Sequence, residues 1–322
     1  MKAIQIMEHG GPEAMKYQDV ADLSPGEGQA LVEVQAVGVN FTDVYNRMGA
    51  SPAQTLPRII GVEGAGTVRS VGSGVTQVKE GDVVAYSGTP GSYAEQALVP
   101  ADRLIKMPDG LDAKDGAAAM LQGMTAHYLC HSTYSVKQGD KVVIHAGAGG
   151  VGLLLIQMVK KLGGYVFTTV STEAKADLAR EAGADHVILY TQVDFAEEVK
   201  KATNGDGVAA VYDAVGKTTF DQSISCLSRR GHMVLYGQAG GAVTDTNTRA
   251  LQNGSLFLTR PSLGDYTATR DELLQRAQEV MGWVQSGDQN LHIGLTLPLA
   301  EAQEAHRQLE GRETVGKILL TP

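Results

Sequence analysis

Two short stretches combine residue types and spacing that can do chemistry. In "KVVIHAGAGGVG" an apolar run leads into Gly147, Ala148, Gly149, Gly150, Val151 and Gly152, and then into an apolar helical pattern. Gly147, Gly149 and Gly152 fit G-x-G-x-x-G, the spacing of a dinucleotide-binding turn. The first glycine is expected to permit the tight turn, the second to let the backbone approach a pyrophosphate, and the third to let helix pack on strand. The helix N-terminus adds free N–H groups and the positive end of its dipole. The second stretch, "YVFTTVSTEAK", lies where an NAD site carries an acid for the ribose 2′-hydroxyl. Ser171, Thr172 and Lys175 stand there instead, with Glu173 the one dissenting charge. Hydroxyls and an ammonium suit a 2′-phosphate, which an acid would repel. The expected cofactor is NADPH.

A turn of this kind works only at the carboxyl end of a parallel strand, and the chain after residue 123 supplies such strands. "KVVIHAG", "YVFTTVS", "HVILY", "VAAVYDAVG", "GHMVLYG" and "SLFLTRP" alternate with amphipathic stretches such as "EAKADLAREAG". That alternation predicts an α/β, doubly wound parallel sheet. Residues 1–120 differ, reading as short strands with turn signals about every ten residues, the pattern of a closed or folded antiparallel sheet. Beyond residue 260, Thr269 and Glu272 form a capping box, and Leu273, Ala277, Val280 and Val284 make one apolar helix face. The tail, ending in "KILLTP", is expected to pack back on the first domain. The predicted division is 1–122 with 262–322, and 123–261.

Composition narrows the function. The chain has 322 residues, 43% apolar and 20% charged, as an ordinary globular protein has. A net charge of −9 without a basic run argues against nucleic acid or an anionic membrane as partner. No apolar run reaches the roughly 18 residues of a membrane span, and "MKAIQIMEHGGPEAM" lacks the pattern of a signal peptide. With two cysteines only, Cys130 and Cys226, a disulfide framework is not expected and a cytoplasmic location is. His127, Cys130 and His131 have the i, i+3, i+4 spacing of a helical metal site, but no fourth ligand accompanies them, so a partly buried helix face is the expected reading.

Seven motifs in series, "GVNFTDVYNRMG", "GVEGAGTV", "LQGMTAHYL", "AGAGGVG", "VYDAVG", "TRPSL" and "GRETVGKILL", cover nearly the whole chain. It thereby resembles the medium-chain dehydrogenase/reductase superfamily, and within it the zinc-free quinone oxidoreductase branch that includes zeta-crystallin. The resemblance implies a GroES-like β-rich catalytic domain joined to an NADPH-binding Rossmann domain. Where zinc-dependent members carry a Cys and a His as ligands, this chain has Asn40 and Val62, which cannot replace them around zinc. Hydride transfer to an already activated acceptor is then expected in place of alcohol oxidation.

The resemblance also supplies candidate residues. It places Asn40, Phe41, Thr42 and Asp43 beside the nicotinamide, with Asn40, Asp43 and Tyr45 as catalytic candidates. An amide donor and a phenol can bond a quinone carbonyl as charge develops on it; equally, Asn40 and Asp43 can cap the following turn. Thr125 and Tyr128 are expected near the nicotinamide ribose, and Tyr190 beside the adenine and 2′-phosphate. Val215, Tyr236, Gly237, Gln238, Leu258, Arg260 and Arg312 are expected to complete the cofactor site. The implied function is NADPH-dependent quinone reduction, with one- or two-electron transfer left open. An enone, enal or enoyl-thioester C=C reductase is the alternative, and a non-catalytic NADPH-binding protein the alternative of another class. A homodimer through the sheet edge is expected. Loops near 45–56 and 262–270 are expected to set pocket size.

Overall fold

The computed structural model describes residues 1–50 and 55–322. Part of the 45–56 loop therefore lies outside the described residues. In chain order the elements begin β1 (Lys2–Ile6), β2 (Met15–Asp19), β3 (Gln29–Val39), α1 (Phe41–Arg47), β4 (Arg58–Ile59), β5 (Glu63–Val71), β6 (Val83–Ser87), β7 (Gln96–Pro100), β8 (Ile105–Lys106) and α2 (Ala113–Tyr128). There follow β9 (Lys141–Ile144), α3 (Gly150–Lys161), β10 (Tyr165–Val170), α4 (Glu173–Glu181), β11 (His186–Leu189), α5 (Phe195–Ala202), β12 (Val208–Asp213), α6 (Phe220–Ser225), β13 (Leu227–Leu235), α7 (Arg249–Gln252), β14 (Phe257–Thr259) and α8 (Leu263–Tyr266). The chain closes with α9 (Arg270–Ser286), β15 (Ile293–Pro298), α10 (Ala302–Glu310) and β16 (Lys317–Thr321).

Two units result, Met1–Met124 with Thr267–Pro322, and Thr125–Tyr266. In the first, β15, β16, β3, β5, β6 and β8 lie side by side, with β7 paired to β3. The long strand β3 alternates poorly because it is buried over most of its length, and Val32, Val34, Val37 and Val39 enter one core with Ile4, Ile60, Tyr86 and Ile318. The tail joins this unit because β16 pairs antiparallel with the end of β3, Leu319 opposite Gly38. The capping box of α9 forms, Thr269 Oγ1 accepting from Glu272 N–H at 3.2 Å, and Leu273, Ala277, Val280 and Met281 are its buried residues.

The second unit is a six-stranded parallel sheet in the order β11-β10-β9-β12-β13-β14. Its central strands are apolar on both faces, as helices on either side of a parallel sheet demand; Val143, Phe167, Val211 and Met233 are buried. The order reverses between β9 and β12. At such a switch point the loops leaving adjacent strands diverge and open a crevice for a ligand.

Candidate functional site

The Gly-rich turn leaves β9 at this switch point, and the structure reassigns the work within it. The left-handed residue is Ala146 (φ 55°), not Gly147. Gly147 is required for another reason, since a Cβ there would strike the Thr168 hydroxyl, which donates to Ile144 O at 2.6 Å. Gly147 N–H is held by Thr169 O at 3.1 Å. Gly149 caps α3 in an extended conformation, and its nearest would-be Cβ contact is Ala146 O at 3.2 Å, so the outer side of the turn stays open. Gly152 permits helix to sit on turn, because its Cβ would collide with Ala146 O. Gly150, Val151 and Gly152 form the first turn of α3, whose N–H groups have no intrahelical acceptor. This cradle fits a pyrophosphate.

At the end of β10 the Thr172 hydroxyl caps α4, accepting from Lys175 N–H at 3.3 Å. Ser171, Thr172 and Lys175 therefore share one helix start, whose dipole adds to their suitability for an anion. The dissenting Glu173 is paired with Arg180 at 3.4 Å. Tyr190 ends the neighbouring strand, exposed, with its N–H on Val170 O at 3.2 Å, and Thr191 donates to Ser171 O at 3.1 Å. These residues form one group, fit for the 2′-phosphate end of a dinucleotide.

Beyond β12 a second loop is laced together. Asp213 Oδ1 accepts the N–H of Val215 at 2.7 Å and of Gly216 at 3.0 Å, and Gly240 N–H reaches Val215 O at 2.7 Å. Tyr236 and Gly237 N–H groups both point to Asp213 O. Gln238 accepts from Arg260 at 2.6 Å, while Leu258 on β14 packs against the core below. Val215 thus has both main-chain groups engaged. Tyr128 is 2% exposed, with its ring stacked 4.3 Å from Tyr266. Thr125 is buried as well. His127 and His131 stack at 4.5 Å, and among the described residues no group of three or more His, Cys, Asp or Glu is placed to hold a metal.

In the first unit "GVNFTDVYNR" turns from β3 into α1. Asn40 Nδ2 donates to Gly38 O (3.2 Å) and Glu63 Oε2 (2.8 Å), while Oδ1 accepts from Lys317 Nζ (2.9 Å) and Gln122 Nε2 (3.3 Å). An amide has two donors and two lone pairs. All four are used, and the residue is 4% exposed, so Asn40 has no donor left for an acceptor's carbonyl. Asp43 is wholly buried. Its Oδ2 accepts Asn40 N–H at 2.9 Å, holding the start of α1, and the Tyr93 hydroxyl at 3.2 Å. Oδ1 has no partner among the described residues, and burial pushes the carboxyl up to about 7. The Asp43 carboxylate thus holds the start of α1 through the Asn40 main chain, while the Asn40 amide is engaged by β3, β5, β16 and α2. Tyr45 is half-buried, 6.1 Å ring to ring from Phe41, and Thr42 is exposed. Arg312 lies exposed after α10 with φ 58°.

Two ionic clusters here were not anticipated. Lys317 reaches Glu63 Oε2 at 2.5 Å, and Glu63 Oε1 accepts Leu121 N–H at 2.6 Å. Separately, Arg47 on α1 binds His306 Nδ1 (2.9 Å), Glu310 (2.7 Å) and Gly10 O (3.0 Å), and His306 Nε2 meets the Tyr93 hydroxyl at 2.9 Å. Arg47 only donates, so Nδ1 accepts and Nε2 carries the proton toward Tyr93. Tyr93 then donates to Asp43. Charged residues inside apolar strands, Glu63 in "GVEGAG" and Lys317 in "GKILL", were the available signal.

A Gly-rich turn at the switch point of a doubly wound sheet, in a chain that also holds a separate, largely antiparallel unit, defines a medium-chain dehydrogenase/reductase. The family model described as an alcohol dehydrogenase GroES-like domain matches residues 26–109, and that described as a zinc-binding dehydrogenase matches residues 150–282. A quinone oxidoreductase of Pseudomonas aeruginosa is 43% identical over 100% of this chain and 99% of its own. A 2-haloacrylate reductase of Burkholderia is 42% identical over 99% of this chain and 98% of its own. The Escherichia coli quinone oxidoreductase complexed with NADPH superposes with a TM-score of 0.97 at 40% identity, covering both chains fully. Within the superfamily, the chain belongs to the quinone oxidoreductase branch.

Proposed function

We propose that this enzyme reduces quinones with NADPH and without zinc. The observation that carries the reading is the acid-free end of β10, where Ser171, Thr172 and Lys175 stand beside the start of α4 while Glu173 pairs with Arg180. Bound NADPH supplies the reducing equivalents. The chain's part is to hold the pyrophosphate at the start of α3, the 2′-phosphate at the start of α4, and the acceptor near α1. Asn40 and Asp43 act there as positioning residues, fixing the start of the helix that carries Tyr45. Tyr45 is the phenol assigned to the acceptor's carbonyl oxygen, where a hydrogen bond strengthens as negative charge grows. Tyr45→Phe is expected to lower kcat for quinone about 100-fold, the lower end of what one lost donor costs; an unchanged kcat removes Tyr45 from the chemistry.

Zinc independence rests on donor chemistry. Val62 offers no ligand atom, and Asn40 is saturated by Gly38, Glu63, Lys317 and Gln122. Activity that survives dialysis against a chelator supports this, and activity restored only by added zinc refutes it. The Burkholderia relative supports a second reading, reduction of a C=C bond conjugated to a carboxylate or carbonyl. Rates with a benzoquinone, an enone and 2-chloroacrylate, side by side with NADPH, separate the two. A homodimer through β14 is supported by the exposed Phe257 on that edge, stacked 4.5 Å from His232; sedimentation at monomer mass excludes it. A cytoplasmic location is supported by two unpaired, buried cysteines. Among the described residues, no helix is long and apolar enough to cross a membrane.

A further inference from the structure

The second unit contains a buried polar chain that the nucleotide contacts do not use. His145, Thr169, Ser223 and Asp213 come from the end of β9, from β10, from α6 and from the end of β12, and each is at least 98% removed from solvent. Thr169 Oγ1 lies 2.9 Å from His145 Nδ1, His145 Nε2 lies 2.9 Å from Ser223 Oγ, and Ser223 donates to Asp213 Oδ2 at 3.0 Å. Thr219 donates to the same oxygen at 2.7 Å, while Asp213 Oδ1 takes the N–H groups of Val215 and Gly216.

The direction of the chain follows from what each group can give. Four donors and no acceptor surround the Asp213 carboxylate, so Ser223 spends its proton there. Its oxygen must then accept from His145 Nε2–H. Burial lowers the His145 pKa and keeps the ring neutral, so Nδ1 accepts from the Thr169 hydroxyl. One unbroken donor order results, from Thr169 to His145 to Ser223 to Asp213.

Through His145 and Asp213 this chain reaches both loops of the switch point, those that leave β9 and β12. His145 is the residue before left-handed Ala146, and its N–H is held by Tyr212 O at 3.0 Å. Thr169 holds the Gly-rich turn twice, through its carbonyl on Gly147 N–H and through its hydroxyl on His145. Asp213 shapes the Val215–Gly216 turn. We infer that His145 is a positioning residue for the dinucleotide, its imidazole linking the Gly147–Gly152 turn to the Val215–Gly216 turn so that both backbones are preset for one bound molecule. The inference rests on the NADPH reading above.

The test is NADPH affinity measured directly by titration calorimetry without acceptor, beside kcat, KM for NADPH and the ligand-free Tm. Thr169→Val cuts the chain at one end and keeps the carbonyl on Gly147; Ser223→Ala cuts it in the middle. Each is expected to raise the NADPH Kd and KM about tenfold, the worth of roughly one hydrogen bond in a preorganised site, with kcat at saturating NADPH within twofold of native. Thr169→Ser, which keeps the hydroxyl, is expected to restore the native Kd. Thr219→Ala, which loosens Asp213 without cutting the chain, is expected to change Kd less than Ser223→Ala. A lowered Tm with native Kd in both Thr169→Val and Ser223→Ala would overturn the inference. So would a Thr219→Ala Kd as weak as that of Ser223→Ala, since the effect would then pass through the Asp213–Gly216 turn without His145. If the unaltered chain fails to bind NADPH, the cofactor reading falls, and the inference falls with it.

Discussion

Lys317 Nζ sits 2.5 Å from Glu63 Oε2, with 2% and 0% of the two side chains exposed. Their strands, β16 and β5, flank β3 on either side, and Asn40 at its end is bonded to both residues. The buried ion pair is therefore the clamp that fixes the Asn40 amide and the entry into α1. Removing one partner strands the other charge in the interior. Lys317→Met is expected to cost about 3–5 kcal/mol, seen as a Tm fall on the order of 10 °C. The double variant Lys317→Met with Glu63→Gln is expected to recover more than half of that. A single variant as stable as the native chain would show that the pair does not hold this corner.

The second cluster makes a prediction about pH. Burial raises Asp43 from 3.8 to about 7. Burial, aided by Arg47, lowers His306 from 6.5 to about 3. The folded chain holds an extra proton at Asp43 between about pH 4 and 7, so that contribution is full at low pH and lost as pH rises through about 7. His306 behaves oppositely: unfolding takes up a proton between about pH 3 and 6.5, so its contribution is full above 6.5 and lost on acidification. The slopes, each about 1.4 kcal/mol per pH unit, oppose one another. Relative to the native chain, Asp43→Asn should therefore gain stability as pH rises from about 4 to 7, and His306→Gln should lose it as pH rises toward 6.5. Urea unfolding across this range checks both signs, and parallel profiles for the two variants would contradict the account.

Coenzyme choice is assigned to the end of β10. Replacing Lys175 by Ala and Ser171 by Asp removes a cation and adds a negative charge where the 2′-phosphate is proposed to bind. Charged hydrogen bonds contribute about 1.5–3 kcal/mol each. The ratio of kcat/KM with NADPH to that with NADH should fall about 100-fold in the double variant. No change in the ratio would place the 2′-phosphate elsewhere.

The glycines of the turn separate by role. Gly152→Ala presses a Cβ into Ala146 O and should lower both the Tm and NADPH affinity. Gly149→Ala meets only Ala146 O at 3.2 Å, so it should leave the Tm within about 2 °C while weakening NADPH at least tenfold through its outward face. Calorimetry and thermal melts on the two variants decide this, and equal effects on both quantities would refute the division.

What the sequence made legible was what period and turn chemistry encode. The alternation after residue 123 predicts the parallel sheet, Thr269 and Glu272 predict the start of α9, and G-x-G-x-x-G places the turn at the head of α3. The apolar run "KILLTP" foretells a tail strand, though its pairing with β3 depends on residues nearly 280 positions away. Long-range polar pairing was not legible. Asn40 has the composition of an acceptor-facing donor, and only the arrival of Lys317, Glu63 and Gln122 shows that its amide is spent. Nor was the stack of Tyr128 on Tyr266 legible, the latter lying at the far end of its unit in sequence. Left-handed Ala146 escaped because sequence reasoning assigns such backbone to glycine.

The most direct test of the central claim is steady-state oxidation of NADPH and of NADH with 1,4-benzoquinone, before and after exhaustive chelation. The account predicts quinone-dependent NADPH loss at least tenfold more efficient than NADH loss, unaffected by chelation. Quinone-independent rates, equal use of the two coenzymes, or activity abolished by chelation and returned by zinc would contradict it.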